Sequence, residues 1–233
     1  MSRTINPTAG SGDPYWYEWS IGLLYIIDMI NPDNNIKSVT LQSNKAQGLD
    51  DVVVRYKDNS TRCIQIKHSR NGDTLTFGDI VSSSENKNSL LKSLANAWKE
   101  AKAEFRNASP ILYTNRKSGN RATTVKINEY HDYLRPPLLK FWNFIKKESL
   151  SKQSIDEIKV CTVWEEAWKI WLQELVDLSE QEKIGFIKSL TIETNQPGLE
   201  EVEKELLNKI GNTFSVNESR AIPIKNALDS ASL

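Results

Sequence analysis

The chain is poor in the residues that build disulfide and soft-metal sites. Its 233 residues include only two cysteines, two histidines and two methionines. Cys63 and Cys161 lie far apart, so they read as reduced thiols, which fits the cytoplasm. A structural zinc site draws about four Cys or His ligands together, so four such residues in the whole chain nearly exclude one. No run of about 18 apolar residues occurs, so no membrane span is expected. The start, Met1-Ser2-Arg3-Thr4-Ile5-Asn6, lacks an apolar leader core, and export is not expected. There is no P-loop and no zinc finger.

Net charge is zero, but that figure hides a division. Residues 1–147 carry 21 Lys and Arg against 14 Asp and Glu, a net of +7; residues 148–233 carry 9 against 16, a net of −7. A positive first half suits a polyanionic partner.

What is present begins with a helix. Asp13 is a good N-cap and Pro14 a good first helical residue. The helix should run to about Ile30, where Asn31-Pro32-Asp33-Asn34 stops it. Its body is apolar almost all round, which predicts burial. Glu18 is the anomaly, set among Tyr15, Trp16, Tyr17 and Trp19. A carboxylate in such surroundings is costly unless paired or bound to a cation, although a glutamate near a helix start also favours the helix dipole.

A first strand is expected over Lys37–Gln42, then two β-branched runs joined by the turn residues Asp58-Asn59-Ser60-Thr61. Gly48-Leu49-Asp50-Asp51-Val52-Val53-Val54 opens the hairpin and Gln65-Ile66-Lys67 closes it. Strand alternation puts Cys63, Gln65 and Lys67 on one face and Ile64, Ile66 and His68 on the other. The same parity separates Asp50 from Asp51, and sequence does not decide which faces the lysine. Carboxylates that hold a hard cation, beside an ammonium that neutralises a phosphate, are the parts of a metal-dependent phosphodiester hydrolase.

Residues 71–86 read as loop. An amphipathic helix follows with Leu90, Leu91, Leu94, Ala97, Trp98, Ala101 and Phe105 at helical spacing. Asn107-Ala108-Ser109-Pro110 should end it, with a strand over Ile111–Thr114 and a basic loop over Asn115–Asn120. Beyond Arg135-Pro136-Pro137 the chain turns helical: Leu138 to about Leu150, then Val163–Leu178 with Trp164, Trp168 and Trp171 as helical core rather than base-stacking surface. Ser179-Glu180-Gln181-Glu182 is a capping box, and Asn195-Gln196-Pro197-Gly198 is a turn before an acidic helix over Leu199–Ile210. The expected organisation is a core over 1–134, a helical extension over 135–211 and a tail or linker over 212–233.

The order α-β-β-β-α-β, with Asp before the second strand and Gln-Ile-Lys in the third, resembles the PD-(D/E)xK nuclease superfamily. More narrowly, Asp13-Pro14-Tyr15-Trp16-Tyr17-Glu18-Trp19, Leu49-Asp50-Asp51-Val52, Gln65-Ile66-Lys67-His68 and Tyr113-Thr114-Asn115-Arg116 resemble the double-stranded DNA endonuclease domains of bacterial anti-phage effectors, both CBASS-type and NTPase-linked. The resemblance implies an α/β fold with a restriction-endonuclease-like mixed sheet and a helical C-terminal half. It implies Mg²⁺, with Mn²⁺ able to substitute, on Glu18, Asp51 and Gln65, with Asp50 as the fallback acid, and Lys67 as charge stabiliser or orienter of water. Gln65 departs from the acid many members carry there; an amide oxygen brings no charge, so metal affinity leans on Glu18. Lys45, His68, Arg70, Arg116 and Lys117 are candidate contacts to the DNA backbone, as is Arg121, and such contacts fix position without reading sequence.

The function expected is Mg²⁺-dependent, largely sequence-non-specific cleavage of double-stranded DNA, controlled by homo-oligomerisation or by a partner sensor in a larger assembly. The rivals are a catalytically inactive binding module of the same fold and a site-specific or modification-dependent restriction endonuclease.

Overall fold

The computed structural model describes residues 13–43, 48–84, 87–105, 107–128 and 131–231. Helix α1 spans Asp13–Ile30 and stops where the Asn31 side chain accepts the Asp33 N–H at 3.0 Å and Asn35 turns left-handed at φ 55°. Strands β1 (Ile36–Leu41), β2 (Val52–Tyr56) and β3 (Ser60–Lys67) follow. The β2–β3 turn forms as its residues predict: Asp58 accepts from the Ser60 N–H at 2.8 Å, and Asn59 takes φ 66°.

Residues 71–86, expected as loop, instead contain β4 (Thr74–Leu75) and the short helix α2 (Phe77–Val81). The helix is set by a capping box between Thr76 and Asp79, too short a segment for periodicity to reveal. Next come α3 (Leu90–Glu104), β5 (Asn107–Thr114) and β6 (Lys117–Ser118), which pairs with β4. The Asn107–Pro110 stretch expected to end α3 is therefore the start of β5, paired to β3 from Ser60↔Asn107 onward. Strands β7 (Thr123–Asn128) and β8 (His131–Arg135) form a hairpin that the sequence reading did not anticipate.

The helices α4 (Leu138–Ser149), α5 (Glu165–Glu174) and α6 (Glu180–Ser189) follow, the last with the expected Ser179/Glu182 capping box. Strand β9 (Thr191–Glu193), helix α7 (Leu199–Phe214) and helix α8 (Glu218–Ala231) complete the described chain. Residues 218–231, expected within a tail or linker, are thus helical. Their helical periodicity is weak and Pro223 interrupts it, but Ala221, Ile224 and Leu228 pack with Trp19, Leu23 and Leu206.

The architecture is mixed α/β around one five-stranded sheet, in the order β1-β2-β3-β5-β9. The first three strands pair antiparallel; β3–β5 and β5–β9 are parallel. The chain therefore crosses the expected boundary near residue 134, because β9 lies in the helical half yet pairs with β5. A three-residue strand carries almost no signal of its own.

Alternation along β2 and β3 sorts the core. Val53 and Cys63, with Leu112, face a cluster built on α2–α6. Val52, Val54, Ile64 and Ile66, with Ile111, face Tyr17 and Ile21 of α1 and Val202 of α7. Gly22 lets α1 close on β1, since a Cβ there would collide with the Leu41 side chain. Burial pushes the Cys63 thiol up to about 12, as suits an inert core sulfur, and Cys161 is exposed. Among the described residues no helix is long and apolar enough to cross a membrane.

Candidate active site

The site lies where β2 begins and β3 ends. Gly48 takes φ 93°, a conformation that favours glycine, and its N–H is accepted by the Asp50 carboxylate at 2.9 Å. The carbonyls of Asp50 and Asp51 accept from the Ser43 and Gln42 N–H groups at 2.8 and 3.1 Å. The acidic pair is thus fastened to the chain leaving β1 before β2 starts.

Asp51 turns its carboxylate toward β3. One oxygen accepts the Ile66 N–H at 2.6 Å and a second bond from the Gln65 side-chain amide. Burial pushes the Asp51 carboxyl above its ordinary range, and Asp50 adds to the rise; the Ile66 N–H, Lys67 and the Gln65 amide oppose it. The parity question left open by the sequence is answered here. Asp51 is the acid joined to the Gln-Ile-Lys strand, and Asp50 is spent on its own turn.

Glu18 reaches the same place from α1. Its carboxyl is half-buried and pushed up to about 7, by burial first and then by the negative charge of Asp51; Lys67 opposes this and Asp50 adds to it. The helix is held over the end of β3 by Tyr17, which is wholly buried, sets its ring 4.6 Å from that of His68 at a tilt of 38°, and donates to the Pro197 carbonyl at 2.7 Å. Lys67 is the last residue of β3, exposed and in register with Thr114 of β5. Gln65 is only 7% exposed, so its side chain belongs to the site rather than to solvent.

The structure therefore brings Glu18, Asp51, Gln65 and Lys67 together, with Asp50 beside them. The basic candidates are more scattered. Arg116 lines a cavity of about 310 Å³ with Lys67, His68, Ser69 and Thr114. Its guanidinium is already engaged, however, with the Thr74 carbonyl at 2.7 Å and with Asp73 and Asp79 at 3.2 Å each. These contacts are made by Nη2, and its Nε is buried without a protein acceptor. Lys117 sits exposed on β6, Arg70 is exposed past the end of β3, and Arg121 is exposed before β7. Lys45 lies outside the described residues. A larger cavity, about 460 Å³, opens at the turn end of the hairpin among Lys37, Arg55, Tyr56 and Phe105; it is remote from these carboxyls.

Among the described residues no three His, Cys, Asp or Glu side chains converge tightly enough to hold a metal by themselves. The set at hand is two carboxylates and an amide. That set suits Mg²⁺, which keeps several waters and takes one or two carboxylates from the protein. Two carboxyls raised first by burial, with Asp51 adding to the rise at Glu18 and Asp50 to that at Asp51, also mark a place where added positive charge is favourable.

Sequence reasoning missed Asn115 as a site residue. Its side chain accepts the Ser69 N–H at 2.8 Å and donates to the Ser69 carbonyl at 2.7 Å. Its signals were its place directly after a buried strand and within the Tyr113-Thr114-Asn115-Arg116 motif, neither of which points to Ser69. In comparisons with known proteins, no protein-family model matches the chain and no curated protein matches it.

Proposed function

We propose that the protein is a metal-dependent endodeoxyribonuclease with a restriction-endonuclease-like core, cutting double-stranded DNA with little sequence preference as the effector of an anti-phage defence system. The observation that carries this reading is the convergence of Glu18, Asp51, Gln65 and Lys67 at one end of the sheet, from α1, the bend ahead of β2 and the end of β3.

Glu18 and Asp51, with the Gln65 amide oxygen, would hold Mg²⁺, which supplies Lewis acidity and a water of lowered pKa at the scissile phosphate. The protein's own groups do the rest. The Ile66 N–H and the Gln65 amide fix the Asp51 carboxylate in one orientation. The Lys67 ammonium faces the phosphate and stabilises the negative charge that grows on its oxygens as water attacks. The exposed cations Arg70, Lys117 and Arg121 take neighbouring phosphates and position the duplex without reading bases. Cutting both strands requires two scissions of opposite polarity, which two copies about a twofold axis supply. Clustering of the chain, by itself or on a sensor, is thus the natural control.

The second reading is an inactive DNA-binding module of the same fold, favoured by the absence of a three-carboxylate cluster among the described residues. Incubation with supercoiled plasmid separates the two. The nuclease reading expects nicked, linear and then smeared DNA with Mg²⁺ and none with EDTA, rising steeply with protein concentration or forced dimerisation. Binding with no cleavage at any Mg²⁺ or Mn²⁺ concentration would establish the second. Discrete fragments in place of a smear would mean a site-specific enzyme.

A further inference from the structure

Main-chain pairing between β3 and β5 ends at Lys67↔Thr114. Past that point side chains take over. The Thr114 hydroxyl donates to the Lys67 carbonyl and accepts the Arg116 N–H at 3.2 Å. Asn115 then brackets Ser69, accepting its N–H and donating to its carbonyl, so one carboxamide stands in for a peptide group. The pairing is thereby continued two residues beyond the sheet. An aspartate would offer no donor, serine would be too short, and glutamine is longer by a methylene.

We propose that Thr114 and Asn115 are positioning residues: by holding the main chain of Lys67, His68 and Ser69, they fix where the Lys67 ammonium stands relative to Glu18 and Asp51. The effect on rate rests on the nuclease reading; the clamp itself does not. A lysine side chain has four rotatable bonds, so its reach is defined only as well as its Cα is. Without the clamp, Lys67 would be the fraying last residue of its strand. A displacement of about 1 Å at such a group costs on the order of 10²-fold in rate.

The test uses the full chain carrying Asn115→Ala, with Asn115→Asp as the conservative partner and Thr114→Val as a near-isosteric second variant. Amide hydrogen exchange is read at Ser69, alongside Val53 and Ile64 as internal references. Asn115→Ala should speed Ser69 exchange by roughly tenfold or more while the references hold. Asn115→Asp, which keeps the acceptor, should recover part of that protection. With Mg²⁺ and a DNA duplex, kcat should fall about 10²-fold while KM stays within about twofold. The loss should nearly vanish when Asn115→Ala is added to Lys67→Ala, because the clamp acts through that lysine. Unchanged Ser69 exchange overturns the clamp whatever the activity does. A raised KM with unchanged kcat makes Asn115 a DNA contact instead, and overturns the positioning role. If Asn115→Ala does not fold, Thr114→Val is held to the same kcat-against-KM split. A parent protein that never cuts DNA sinks the nuclease reading and the catalytic role with it, while Ser69 exchange still decides the clamp.

Discussion

The sheet face under α2–α6 and the face under α1 and α7 are both apolar, yet they are filled differently. Under α2–α6 the filling is aromatic: Phe77 meets Phe141 edge-on at 5.3 Å, and Trp142 stacks on Trp171 at 5.3 Å. Under α1 the aliphatic floor of Val52, Val54, Ile64 and Ile66 is met by phenols. Burial raises the hydroxyls of Tyr17, Tyr25 and Tyr113, the last to about 12, and Glu18 lies at the rim. One face is a largely hydrocarbon layer, in which the Trp171 Nε1 is buried without a protein acceptor. The other tolerates polar groups that cost free energy where they stand. That division is the usual relation between a stabilising scaffold and a site that works against stability.

The largest effect on stability is expected on the aromatic face. Phe141→Ala removes a fully buried ring and should cost about 3–5 kcal/mol, read as a shifted denaturant midpoint. Cleavage per folded molecule should be unchanged. A loss well under that size would mean the two faces are not so different after all.

Lys67→Ala should do the reverse. Loss of one transition-state charge contact lowers the rate on the order of 10²–10³-fold. The melting temperature should barely move, since the side chain is exposed. Equal cutting by variant and parent at matched purity would remove Lys67 from the mechanism.

Asp51 and Asp50 differ in the same way within the site. Asp51→Ala strands the Ile66 N–H and the Gln65 amide, so it should weaken Mg²⁺ binding and also cost about 1–3 kcal/mol. Among the described residues Asp50→Ala loses a turn contact to Gly48, and it should be milder in both respects. Metal titration of the two variants is the deciding measurement, and the opposite ranking would reverse the assignment.

The smallest effect is a pH dependence. In metal-free protein Glu18 has a folded-state pKa of about 7 against an ordinary 4.5, so folding favours its protonated form. Its contribution to stability is complete below about pH 4.5, shrinks as pH rises and is gone above about pH 7. Glu18→Gln, permanently neutral, should therefore match the parent at pH 4 and exceed it at pH 8. The gap should be about 1–2 kcal/mol once solvent screening of a half-exposed group is allowed for. Equal melting of the two at pH 8, with EDTA present, would show that Glu18 carries no such penalty.

Much of this was legible locally. The β2–β3 hairpin follows from its turn residues and from β-branched runs on either side, and α3 from its apolar spacing. Glu18 stood out because it is charged within a helix otherwise built for burial. The tryptophans of the second half read as core, and Trp168 and Trp171 are buried as expected. What was illegible depends on partners distant in sequence. Strand β9 exists because β5 offers it an edge, and α8 because α1 and α7 offer it a groove. Asn115 has a role only because Ser69 emerges opposite it. The acid nearest Lys67 could not be chosen by parity alone, since Asp51 acts from the turn just ahead of the strand.

The bond from Tyr17 to Pro197 joins residues 180 apart, and Lys209 meets Asp28 across 181. During synthesis α7 reaches residue 199 about 7–26 s after residue 67, at roughly 5–20 residues per second. Through that interval the apolar side of α1, with Leu23 and Ile27, has neither α7 nor α8 to cover it. Apolar surface left open for that long raises the risk of aggregation during synthesis. The carboxyls of the hairpin and Lys67 can be in register long before Glu18 is fastened above them, so this corner of the molecule is the last to be completed.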